Sequence, residues 1–152
     1  MIELQSAFVC TARVSLGELI VVGPCPLGLR RYVPILGGTV SGPLLNGRVL
    51  VGGDSQVLRA DLVLAVDASY LIETHDGVRI GVVNRGIRHG PAEVIARLSG
   101  GQPVQPGEYY FRTAAQFEAP VGSPYEWVNK TLFAATAERE PNTAIVHFFR
   151  IL

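Results

Sequence analysis

The sequence predicts an all-β fold: a closed antiparallel barrel of eight to nine strands with one short helix. Short runs rich in Val, Ile, Leu, Tyr and Thr recur from end to end, punctuated by Gly, Pro, Asn and Asp. With 17 Gly and 10 Pro, the 152 residues have many tight turns and little room for long helices. Consecutive antiparallel strands leave two exposed edges unless the sheet closes, and closure at this strand number encloses a space for one small ligand.

In chain order, strands are expected near 2–14, 34–41, 44–52, 55–66, 67–75, 78–85, 109–118, 130–139 and 143–151. Gly42-Pro43 and Asn46-Gly47 bracket one turn, and Gly52-Gly53-Asp54 marks the next. Asp76-Gly77 has the signature of a type I′ hairpin turn. The segment 23–28, with two prolines and two glycines, reads as an irregular loop at the rim of the barrel mouth. The helix is expected over Pro91 to Leu98, with Pro at its start, Glu93 in the first turn and Gly100-Gly101 to stop it. At 16.3 kDa, residues 1–152 suffice for one domain with a real core and not for two.

Thirteen Lys and Arg against thirteen Asp and Glu leave no global positive field, so no nucleic-acid partner is expected. A composition 48% hydrophobic and 17% charged points to a homo-oligomer, a dimer by preference. No run approaches the length of a membrane-spanning helix and the start does not resemble a signal peptide, so a cytoplasmic location without membrane association is expected. Cys10 and Cys25 read as buried small hydrophobes. His75, His89 and His147 are scattered singly, so neither a metal nor a cofactor is expected.

Strand 109–118 separates by its period of two into a face with Tyr109, Phe111, Thr113, Ala115 and Phe117 and a face with Tyr110, Arg112, Ala114, Gln116 and Glu118. The second is either a solvated outer face or the polar wall of a cavity, in which Arg112 holds an anionic or carbonyl oxygen and Tyr110 donates to it. Asp67 follows an apolar approach, Leu62 to Val66, and a carboxylate buried there must be paired or raised in pKa. Asp54 reads as a turn residue capping its own backbone, or as a ligand contact. Asn84, in phase with Ile80 and Val82, should face the apolar side of its strand, as a structural clip or a pocket-lining donor. Arg85, Arg88 and His89 form an anion-binding corner or a solvated loop. Pro124 to Asn129, with the only Trp, is expected to lay an aromatic lid over one barrel end. Nucleophile elbow, phosphate loop and dinucleotide fingerprint are all absent.

Arg30-Arg31-Tyr-Val-Pro34, Gly37-Gly38-Thr-Val-Ser-Gly42-Pro43, Gly52-Gly53-Asp54-Ser-Gln56, Asp67-Ala-Ser-Tyr70, Thr74-His-Asp76-Gly77, Asn84-Arg85-Gly86, Tyr109-Tyr-Phe-Arg112-Thr113, Phe117-Glu118 and Trp127-Val-Asn129-Lys run in order over almost the whole chain. This series resembles the domain of unknown function 3237 family, the UPF0311 proteins. The resemblance implies a single-domain closed β-barrel of lipocalin-like or allene-oxide-cyclase-like kind. Members of that family often carry Gly-Gly-Ala-Asp-Trp-Gln around positions 52–56 and Arg at position 69, where this chain has Ser69. If those positions line the cavity, it should be roomier and less basic here.

The function expected is a small-molecule-binding barrel acting as a cofactor-free isomerase, cyclase or lyase on a small aromatic, quinone-like or polyketide-like metabolite. Asp67 or Glu118 would move a proton while Arg112, Tyr110 and Asn84 stabilise an oxyanion. Ligand contacts are expected from Asp54, Gln56, Tyr70, Asn84, Arg88, Phe111, Trp127 and Asn129. The alternative is a non-catalytic ligand-binding barrel; a third reading makes all these residues fold determinants.

Overall fold

The computed structural model describes residues 1–152. Nine strands follow in order: β1 (Ser6–Leu16), β2 (Ile20–Cys25), β3 (Gly28–Ser41), β4 (Gly47–Leu58), β5 (Leu64–Thr74), β6 (Arg79–His89), β7 (Tyr110–Glu118), β8 (Phe133–Glu140) and β9 (Thr143–Ile151). The single α-helix, α1 (Ala92–Ser99), lies between β6 and β7. Neighbours pair antiparallel in the order β1-β9-β8-β7-β6-β5-β4-β3, and β1 pairs back onto β3, so eight strands close into a barrel. β2 is the extra strand, paired with the first half of β3 while β1 takes the second half. No helix is long and apolar enough to cross a membrane.

The turn expected at Gly52-Gly53-Asp54 is absent, because β4 runs straight through it and the reversal comes later, at 59–63. These glycines serve close packing: a Cβ on Gly53 would lie 1.7 Å from the Tyr32 hydroxyl, and one on Gly52 2.3 Å from the Ser69 carbonyl. A register shift between Val49 and Gly52 bends the strand there. The rim loop expected at 23–28 is instead the β2–β3 hairpin, which leaves Cys25 exposed while Cys10 is buried. The Asp76-Gly77 turn is not type I′, which needs positive φ at both residues, because only Gly77 has it (φ 85°). The Gly77 amide bonds to the Thr74 carbonyl and the Thr74 amide to the Val78 carbonyl, a three-residue loop with glycine in the left-handed position.

Inward side chains stack in layers set by the register. At one end of the barrel, Ile72, Ile80, Val82 and Phe148 are fully buried. Phe117 packs on Phe133 at 4.6 Å and on Phe148 at 5.2 Å between ring centroids, and Leu45 of the β3–β4 loop is buried in the same apolar cluster. At the other end the inward positions turn polar.

Candidate functional site

One register row runs Arg31, Gln56, Val66, Gly86, Thr113, Ala135 across β3 to β8, and the row below it runs Val33, Asp54, Ala68, Asn84, Ala115, Phe133. Above them Arg88 stands between Leu64 and Phe111; below them lie Tyr70, Val82 and Phe117. Strand alternation therefore points Asp54, Gln56, Tyr70, Asn84, Arg88, Phe111 and Thr113 into one cavity with Arg139. Val14, Val33, Ile35, Val66, Ala68 and Val146 are among its apolar walls. The cavity volume is about 60 Å³. That is room for a few water molecules and less than half of the roughly 150 Å³ that encloses benzene, so a ring-sized ligand has to extend into the open mouth of the cavity.

A hydrogen-bonded chain orders one wall. Arg31 donates from Nε (3.0 Å) and Nη2 (2.8 Å) to Gln56 Oε1, which turns the Gln56 amide so that Nε2 donates to Asp54 Oδ2 at 2.7 Å. The Asp67 backbone N–H donates to the other oxygen, Asp54 Oδ1, at 2.9 Å. Asp54 stays partly accessible through the cavity, yet desolvation raises its carboxyl above the ordinary value, outweighing the bonds from Gln56 and Asp67 that lower it. Burial lowers the Arg31 and Arg139 guanidiniums. It brings Arg88 down to about 10, with the positive charges of Arg31 and Arg139 adding to the effect. Tyr70 is raised by burial.

Five buried side-chain polar atoms in the chain lack a hydrogen-bond partner: Tyr70 Oη, Asn84 Oδ1, Arg88 Nε, Thr113 Oγ1 and Arg150 Nε. The first four belong to residues lining this cavity. An orphaned buried polar atom costs about 1–3 kcal/mol, so four around one space mark a place where the fold has not been optimised for its own stability. No three His, Cys, Asp or Glu side chains gather as metal ligands would.

Six of the expected ligand contacts line the cavity: Asp54, Gln56, Tyr70, Asn84, Arg88 and Phe111. Asp54 does so as a mid-strand residue, not as a turn cap. The four expected catalytic residues lie elsewhere. Tyr110, Arg112 and Glu118 are on the outer face of β7 while Phe111, Thr113, Ala115 and Phe117 are buried. Arg112 lies over the Tyr110 ring at 5.1 Å. Asp67 is half-exposed and paired with Arg85 at 3.0 Å, outside the barrel. Trp127 and Asn129 sit in a 3-10 turn (Glu126–Lys130). Trp127 packs against Phe133 there, and the Asn129 amide clips both backbone groups of Ala119. The expected basic corner is divided: Arg88 turns inward, Arg85 meets Asp67, and His89 stacks on Tyr110. Ser55 and Ser69 do not line the cavity, so the absence of Trp and Arg there leaves its size and charge unchanged. The reading from sequence omitted Arg31, Thr113 and Arg139. Strand phase signals the two arginines, since Arg31 follows the period of Val33 and Ile35, and Arg139 that of Phe133, Ala135 and Ala137.

Fold and site together define a closed eight-stranded antiparallel barrel with one extra strand, one helix and a polar half-cavity. Residues 4–151 match the family described as "Protein of unknown function (DUF3237)", and the chain belongs to that family. It is similar to a UPF0311 protein of Rhodopseudomonas palustris, 38% identical over 153 residues that cover 99% of this chain and 97% of the relative. The crystal structure of a conserved protein of unknown function from that species matches with a TM-score of 0.93 at 36% identity, covering 100% of both chains. A β-barrel-like protein from Acinetobacter baumannii matches with a TM-score of 0.86 at 34% identity, covering 100% of this chain and 98% of the other. A protein from Penicillium herquei described as an enzyme shares the fold, with a TM-score of 0.73 at 22% identity over 98% of this chain and 95% of that one.

Proposed function

We propose that the barrel binds a small, partly apolar, oxygen-bearing molecule in the polar half-cavity and acts on it by cofactor-free acid–base chemistry of the isomerase, cyclase or lyase type. Four residues that line one cavity, each with an unpartnered buried polar atom, carry this reading. Asp54 takes the proton-transfer role, because a carboxyl desolvated above its usual value is a better base when ionised and a usable acid when protonated. Two of its roughly four lone-pair sites are spent on Gln56 and Asp67, leaving the rest for a substrate proton. Arg88, Tyr70 and Thr113 offer N–H and O–H donors to oxygen that gains charge as the proton leaves carbon, and Asn84 Oδ1 can accept from a substrate hydroxyl. A small aromatic or polyketide-like body would suit the Val, Ile and Phe walls, and the fungal protein of the same fold described as an enzyme lends the catalytic reading support.

The test is proton exchange. Ring-sized ketones and phenols that raise the melting temperature are incubated with the protein in D2O, and deuterium at the carbon next to the carbonyl is followed by NMR. Exchange that Asp54→Asn abolishes, with binding kept, supports catalysis. Binding without exchange selects the non-catalytic ligand-binding barrel. We also propose a homodimer, since Ile20, Val21 and Val22 of β2 are all more than half exposed on a strand with one unpaired edge. Light scattering should then give twice the 16.3 kDa of one chain.

A further inference from the structure

We infer that the molecule bound in the polar half-cavity is an organic monoanion whose charged oxygen sits at Arg88; this rests on the reading of the cavity as a ligand site. The charge inventory carries it. Two guanidiniums, of Arg88 and Arg139, line the space with the single carboxylate of Asp54, and a third, of Arg31, is bonded to the lining Gln56. Arg31 and Asp54 balance through the Gln56 amide, which accepts two bonds from one and donates to the other. Arg139 is satisfied by backbone carbonyls of the β8–β9 turn, those of Glu140, Pro141 and Thr143.

Arg88 has no such answer. Its Nε is buried without a hydrogen-bond partner, no ion pair involves it, and its nearest aromatic partner is the Phe111 ring at 5.9 Å. A guanidinium has five N–H donors and does not shed its proton at neutral pH, so a ligand oxyanion is the complement the site lacks. Arg88 is the one guanidinium of the three without a hydrogen-bond partner, and a single anionic oxygen would meet it. The valine and isoleucine walls call for an apolar body behind it, and Thr113 and Tyr70 can donate to a further oxygen deeper in the barrel, where Asn84 Oδ1 can accept from a hydroxyl. A phosphate, with its higher charge, needs a cluster of free donors, and two of the three guanidiniums here are already engaged.

The probes are sodium benzoate, benzamide and inorganic phosphate, added to the full chain at constant ionic strength. Binding is followed through the Arg88 Nε–H resonance in a nitrogen–proton NMR spectrum and through the melting temperature. Benzoate should shift the resonance saturably and raise the melting temperature, and the neutral isostere benzamide should bind at least about tenfold more weakly. Arg88→Gln should weaken benzoate by about tenfold or more, while Arg79→Gln, on the outer surface, should leave it unchanged. Equal binding of benzamide and benzoate at this site overturns the monoanion assignment and leaves the cavity a binding site for neutral molecules. Phosphate binding tighter than benzoate overturns the organic class. A resonance and melting temperature that none of the three probes moves overturns both this assignment and the ligand-site reading beneath it.

Discussion

The two halves of the barrel interior are built from the same strands and obey opposite rules. In the floor, Ile72 and Ile80 are buried with Phe117, Phe133 and Phe148, the aromatic rings lock at 4.6 and 5.2 Å, and the one polar inward residue, Thr74, has its hydroxyl bonded to Asp76 and Val78. In the upper half the same strands direct Asp54, Asn84, Arg88 and Arg139 inward, and four of their polar neighbours or selves keep orphaned atoms. The floor contributes to stability through hydrophobic burial. The upper half gives up part of that stability, which is the usual relation between a site and its scaffold.

Substitutions on either side of that boundary should therefore move stability in opposite directions. The largest effect is expected in the floor: Phe148→Ala, at a position with 0% exposure, should cost about 3–5 kcal/mol in urea denaturation. In the upper half, Arg88→Met removes a desolvated, unpaired cation and keeps a stem of similar length. It should leave stability unchanged or raise it by up to about 2 kcal/mol. A loss of several kcal/mol at Arg88 would show that it pairs within the folded chain, and would erase the distinction between the halves.

The barrel was legible in the sequence because its cues are local. Asn46-Gly47 marks a true hairpin end, Asn46 bonding both backbone groups of Gly42, and Pro91 and Gly100 bound α1. The errors fall where a local cue had a non-local cause. Gly52-Gly53 reads as a turn to any rule of neighbouring residues. The reason for these glycines is Tyr32 across the β3–β4 pair and the β5 backbone beside them, which no rule of neighbouring residues can see. The site followed the same pattern. The period of two separates the faces of β7 but does not say which is inside, and Arg112 drew attention to a face that turned out to be solvent-facing. The inward charges sit instead on strands where a charged residue falls in phase with apolar ones: Arg31 with Val33 and Ile35, Arg88 with Ile80 and Val82, Arg139 with Ala135 and Ala137. An apolar phase broken by a charge was the more informative signal.

A subtler consequence concerns pH. The Asp54 carboxyl holds its proton more tightly in the folded chain than in the unfolded one, where its ordinary value is 3.8. The folded state thus binds more protons in the window above 3.8, and stability from this group, full below that value, is lost as pH rises through the folded one. The stability of the wild type relative to Asp54→Asn should fall as pH is raised through this window, followed by denaturation in small pH steps. A relative stability that grows with pH would mean that Arg31 and Gln56 outweigh desolvation, and would remove Asp54 as the acid–base group.

The smallest effect tests the register on which the whole comparison depends. Arg112 lies on the outer face of β7, level with Thr136 of β8 and Ile87 of β6, its guanidinium donating at 2.8 Å to the Phe111 carbonyl and resting on Tyr110, itself 43% exposed. Exposed pairs of this kind contribute little, so Arg112→Ala should change stability by no more than about 0.5 kcal/mol and leave benzoate binding unaltered. Thr113, one residue on, faces the cavity with an unpartnered hydroxyl, so Thr113→Val should be neutral or slightly stabilising and should alter ligand affinity. A one-residue slip of β7 would exchange these two results, because it turns every side chain of the strand to the opposite face. A costly Arg112→Ala beside a silent Thr113→Val would therefore place the Tyr110, Arg112 and Glu118 face inside the barrel, and the polar half-cavity would have to be rebuilt around it.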